Sequence, residues 1–157
     1  MTDTHPRHRG MRTIAAVTII ALVVGVGGGW LISQLTQEEP TAVWATSAQS
    51  GTLVGEDTQL TLKAVANHVV QVDTDTKSAT PVDTIAFFEG WNDRFGDEPR
   101  TAVVTGRSGG EEVQIVVEIS NPAFSEIGYV VILDANVVSG PSEIRDLTHV
   151  VLLVDGD

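Results

Sequence analysis

The sequence predicts a mainly β protein, an antiparallel immunoglobulin-like β-sandwich preceded by one N-terminal transmembrane helix. Three observations predict it. Residues 14–32 form an uncharged apolar run, and residues beyond about 51 alternate apolar with polar positions. Turn residues punctuate that second part at roughly the 8–12-residue spacing of short strands.

The run Ile14–Ile32 reads IAAVTIIALVVGVGGGWLI, without a charge and with Thr18 as its single hydroxyl. Its nineteen residues make roughly 28 Å of helix, about the thickness of a bilayer's hydrocarbon core. Arg7, Arg9 and Arg12 precede it, with His5 and His8 between them. Gln34, Gln37, Glu38 and Glu39 follow, and no Lys or Arg appears until Lys63. Short basic flanks stay in the cytoplasm, so the expected topology is a single-pass cell-membrane protein with its C-terminal domain outside. Trp30 then falls at the outer headgroup level. A cleaved signal peptide is the rival reading, but the small-residue candidates around Ala45 and Ala48 lie far beyond the apolar run. The expected organisation is a cytoplasmic basic tail (1–13), the membrane helix (14–32), a linker (33–51) and an extracytoplasmic β domain (52–157).

Charge is lopsided. Residues 1–13 carry +2 and residues 33–157 carry −14, which together give the −12 of the whole chain. Such an outer domain repels nucleic acid and anionic lipid, and suits divalent cations or basic partners. With no cysteine, it holds together without disulfides and cannot be a lipoprotein.

Residues 33–51 (SQLTQEEPTAVWATSAQSG) show no periodicity and read as linker. Thr58–Ala66 then sets Leu60, Leu62 and Ala64 against Thr61 and Lys63, the pattern of a half-buried strand. His68–Val72 is a second short strand, and Asp73–Asp83 reads as a loop. Ile85, Phe88 and Trp91 stand at helical spacing, giving one or two helical turns. Thr101–Gly106 and Glu112–Ser120 flank Arg107-Ser108-Gly109-Gly110, a hairpin, and Asn121-Pro122 ends its second strand. Gly128–Leu133 and Leu147–Val154 are nearly continuous apolar runs, expected for central strands covered on both faces. A short edge strand at 136–139 and the turn Gly140-Pro141 lie between them.

The pieces Leu60-Thr61-Leu62, Val69-Val70, Phe87-Phe88-Glu89-Gly90-Trp91, Phe95 and Glu98-Pro99-Arg100-Thr101-Ala102, in that order, resemble a family of uncharacterised secreted or membrane-anchored bacterial and archaeal domains. The strand Val113–Pro122 followed by Tyr129 is similar too. That family carries arginines in its Asp-rich loop, whereas this chain has Val72-Asp73-Thr74-Asp75-Thr76 there. The resemblance implies a β-rich extracytoplasmic domain and no particular activity.

Four sets of residues are candidates for chemistry or contact. Gly106–Gly110 matches G-x-S-x-G, but a nucleophile elbow needs a helix after the serine, and here a strand follows. No catalytic residues are therefore assigned. Asp73, Asp75 and Asp83 offer hard oxygen ligands for weak calcium binding, though Lys77, Ser78 and Thr84 stand where an EF-hand needs a ligand, a glycine and a glutamate. Phe87, Phe88, Trp91 and Phe95 are either core packing or an aromatic recognition patch. Ala21, Gly25 and Gly29 recur every four residues, a stripe through which membrane helices self-associate. The leading expectation is a membrane-anchored binding or structural module with an envelope protein as partner. A cell-envelope hydrolase or a calcium-dependent surface domain is the alternative.

Overall fold

The computed structural model describes residues 42–55 and 58–156. The apolar run, its flanks and the stripe Ala21, Gly25 and Gly29 lie outside the described residues. Among the described residues no helix is long and apolar enough to cross a membrane.

The described residues form eight antiparallel strands and two short helices in order. They are β1 (Ala42–Val54), β2 (Gln59–Val65), β3 (His68–Asp73), β4 (Ser78–Asp83), α1 (Thr84–Glu89), α2 (Trp91–Phe95), β5 (Arg100–Ser108), β6 (Glu111–Ser125), β7 (Val130–Ser139) and β8 (Ile144–Asp155). All eight strands belong to one sheet in the order β2-β7-β6-β5-β8-β1-β3-β4, and β2 also pairs with β1. That extra pairing closes β1, β2, β7, β6, β5 and β8 into a ring. Mainly β and antiparallel is therefore what the chain forms. β1 joins the two parts of the sheet, since its second half pairs with β2 while its first half pairs with β3 along the same edge.

β1 also replaces half of the expected linker. Ala42–Val54 runs beside β8 over nearly its whole length, so the ordered domain begins ten residues before the expected boundary at 52. Its residues showed no period of two because both faces of its first half are buried. Trp44 and Ala48 point into the ring, whereas Val43 and Ala45 point outward.

The expected 73–83 loop contains a hairpin. β3 and β4 pair from Asp73↔Ser78 to His68↔Asp83, and Pro81 is tolerated because β4 is the edge of the sheet. β6 does not stop at Asn121-Pro122. A bulge between Ser120 and Ala123, with Asn121 at φ +49°, lets it continue to Ser125. The β5–β6 hairpin has the form that its glycines predict. Gly109 and Gly110 take φ +60° and +88° between the paired Ser108 and Glu111, as a two-residue type I′ turn requires.

The helices close one end of the ring. Asp83 accepts hydrogen bonds from the N–H groups of Ile85 and Ala86 at 2.9 and 3.2 Å, which caps α1. Phe87, Phe88, Trp91 and Phe95 then join Trp44, Ala102, Ile119 and Val154 in the main core. Phe87 is the hub, with ring centroids 5.0 Å from Trp44, 5.1 Å from Phe88, 5.8 Å from Trp91 and 6.1 Å from Phe95. Two arginines pin the helices from outside. Arg94 lies over Trp44 and Phe87 and donates to the Phe87 carbonyl at 3.2 Å, while Arg100 lies over Phe95. Ala42, Asp155, Arg100 and the helices mark this near end. The β1–β2, β5–β6 and β7–β8 turns mark the far end.

Candidate functional site

A groove of about 230 Å³ lies on the outer wall of the ring, lined by Thr58, Pro99, Glu118, Ser120, Asp134, Ala135 and Asn136. Strand register builds it. Glu118 pairs with Asn136 and Ser120 with Asp134, so four polar side chains alternate outward from two neighbouring strands. Their inward neighbours Val117, Ile119, Leu133 and Ala135 belong to the core, which fixes the outward set by the strand period of two.

Both carboxylates are held. Asn136 donates its amide N–H to Glu118 Oε2 at 3.1 Å, and Asn121 donates to Asp134 Oδ2 at 2.9 Å. The second contact exists because the bulge turns Asn121 toward β7. Each carboxylate keeps further lone pairs, since an ionised carboxylate accepts about four hydrogen bonds. The lining carries two negative groups, two hydroxyls and an amide, and neither Lys nor Arg. Chemically this wall can receive N–H donors, an ammonium or a guanidinium above all. Nothing in the lining is a nucleophile activated by a base.

A second hollow of about 350 Å³ lies between the helices and the bulge, with Glu89, Asn92 and Asn121 around Phe88, Trp91 and Pro122. Its aromatic floor is the core itself, because Phe88 and Trp91 are buried.

The residues singled out from the sequence separate. Phe87, Phe88, Trp91 and Phe95 are 1–4 % exposed and form core packing, so they are not an aromatic recognition patch. Their helical spacing already carried the reason, since one face of a short helix must be buried. Asp73, Asp75 and Asp83 do not converge. Asp73 and Asp75 share the β3–β4 turn, whereas Asp83 lies at the opposite end of that hairpin, about 17 Å away by strand rise. Each end already has a task. Asp73 Oδ1 accepts the Thr76 N–H at 2.7 Å, and Asp83 caps α1. The Thr76 backbone and hydroxyl hold the Asp73 carboxyl below its ordinary value. Among the described residues no group of three His, Asp or Glu is placed to hold a metal.

Ser108 sits at the β5–β6 turn and donates to Asp146 Oδ1 at 2.5 Å, while the Gly109 N–H reaches Asp146 Oδ2 at 3.2 Å. A carboxylate that ties a serine and a backbone amide together staples a turn, and neither His68 nor His149 takes part in it. Glu118, Ser120, Asp134 and Asn136 were not found from the sequence. Their alternation with core residues was visible, but only the β6–β7 register brings the two strands together.

Comparisons with models of known protein families, with curated proteins and with solved structures found no match, so the resemblance read from the sequence remains one of pattern.

Proposed function

We propose that the protein is a membrane-anchored extracytoplasmic binding module whose groove between β6 and β7 receives basic side chains of an envelope protein. The observation that supports this reading is the pair Glu118 and Asp134, each braced by an asparagine in a groove whose described lining carries no cation. The −14 of residues 33–157 acts in the same direction, attracting a basic partner before contact. Ile14–Ile32 serves as the single-pass anchor with the N-terminus cytoplasmic. Ala21, Gly25 and Gly29 provide a face on which two anchors pack.

The test is titration of the full chain, in detergent micelles, with a fluorescent oligolysine peptide at low and high salt. Glu118→Gln with Asp134→Asn should weaken binding about three- to tenfold at low salt, beyond the loss from Glu111→Gln with Glu112→Gln, which removes equal charge elsewhere. Equal losses in the two double variants would reduce the groove to general electrostatics and sink the site.

A further inference from the structure

The β6–β7 register fixes the spacing of the two groove carboxylates as well as their presence. Glu118 lies opposite Asn136, and Asp134 lies opposite Ser120, two residues further along β6. The two acids are therefore diagonal neighbours, with backbones about 7–8 Å apart. Along the strand direction they are offset by two residues, about 6.8 Å. Their hydrogen bonds draw them in different directions. Asn136 holds Glu118 straight across the ladder at 3.1 Å, whereas Asn121 holds Asp134 from beyond Ser120 at 2.9 Å.

Neither strand offers a free edge at this place. Glu118 is paired with Thr101 of β5 as well as with Asn136, and Asp134 with Gln59 of β2 as well as with Ser120. A partner cannot join the sheet here as an added strand, so side chains carry its recognition. The groove has a flank on each side of the strand pair. The Thr58 carbonyl accepts the Ala135 N–H at 2.9 Å on the β2 side of β7. Pro99 precedes Arg100, the partner of Ile119, on the β5 side of β6.

We propose that the occupant is an extended peptide segment with basic residues at positions i and i+2, lying along β6 and β7. Same-face side chains of an extended chain recur every two residues, about 6.8 Å, which is the axial offset of Glu118 and Asp134. The remaining lateral offset, one strand spacing of about 4.8 Å, is within the reach of the side chains. Adjacent residues point to opposite faces, so a basic pair at i and i+1 presents one cation to the wall at a time. This inference rests on the proposed reading of the groove and adds the conformation and register of the partner.

Three peptides of one composition test it. Each carries two 2,4-diaminobutyrate residues in a threonine and glycine background, separated by one, two or three positions. The short stem of that ammonium leaves little reach to blur the spacing. Binding to the full chain in uncharged detergent micelles is followed at low salt by fluorescence anisotropy. The i, i+2 peptide should bind about two- to fivefold tighter than the other two, the worth of one exposed ion pair. Glu118→Gln should remove that preference, since the glutamine carbonyl keeps an acceptor for Asn136 and loses the charge. Equal affinities that all fall in Glu118→Gln with Asp134→Asn would overturn the spacing and leave the groove's role standing. Affinities indifferent to both substitutions would remove the groove and the inference together. A preference for i, i+3, which a helix and not a strand places on one face, would overturn the extended conformation.

Discussion

Removing the Phe87 ring is the sharpest probe of how the near end is closed. Phe87 is 1 % exposed and touches four other aromatic rings, so Phe87→Ala leaves a cavity among rigid rings. Buried Phe→Ala changes destabilise by about 3–5 kcal/mol, and the hub position places this one toward the upper half of that range. A domain of about 115 residues has roughly 6–17 kcal/mol in total. At about 3–6 °C per kcal/mol for this size, the midpoint should fall by roughly 10–25 °C. The assay is thermal melting of the full chain followed by near-ultraviolet circular dichroism, to which the buried Trp44 and Trp91 contribute. Phe87→Leu, which keeps most of the volume, should lose less than half as much. A drop below about 3 °C for Phe87→Ala would place the ring on the surface and refute the closed near end.

Three further outcomes follow from single side chains. Thr46 is 3 % exposed and its hydroxyl has no hydrogen-bond partner among the described residues, so Thr46→Val should raise the midpoint by roughly 3–6 °C; a decrease would mean that the hydroxyl is satisfied. Asp83→Ala removes the cap of α1 and should destabilise by about 1 kcal/mol, while Asp83→Asn, which still caps, should recover most of it in the same melt. For Asp73 the folded carboxyl titrates below its ordinary value of 3.8, so its contribution is present above that value and disappears as pH falls through the lowered folded value. The melting difference between wild type and Asp73→Ala should therefore shrink on acidification below pH 4, and a difference that grows there would reverse the sign of the argument.

Local signals in the sequence were good guides to several elements with one wet face, but not to β7, whose run Gly128–Leu133 reads as covered on both faces and instead alternates buried with exposed positions, with Ile132 38 % exposed. The alternation in Thr58–Ala66, the two glycines after Ser108 and the helical spacing of Phe88 and Trp91 each correspond to an element in the structure. β8 reads as an uninterrupted apolar run because both of its faces are covered, the main core on one side and the outward cluster of Val43, Ala45, Val103, Val116 and Leu153 on the other. β1 escaped notice for the same physical reason with smaller residues. Ala, Ser and Thr fill a two-sided strand without looking hydrophobic, so AVWATSAQSG resembles linker. The ring itself depends on β2 meeting both β7 and β1, contacts between residues far apart in sequence that no local period encodes. The groove is illegible for that reason too, since Glu118 and Asp134 become neighbours through register alone.

The order in which the ring can be assembled follows from the position of β8. It is the last strand in sequence, yet it lies between β5 and β1 and hydrogen-bonds to both. Until it arrives, a chain emerging from its N-terminus has two bare strand edges, β1 and β5, facing one gap. Those edges carry Val43, Ala45, Val103 and Val104, an apolar β template of the kind that recruits foreign strands. Closure pairs residue 42 with the neighbourhood of residue 155, among the longest loops this domain can close, and so a slow step. A chain stopped short of β8 is thus an open stave barrel with sticky margins. The domain depends on β8, Ile144–Asp155, to become inert toward its neighbours.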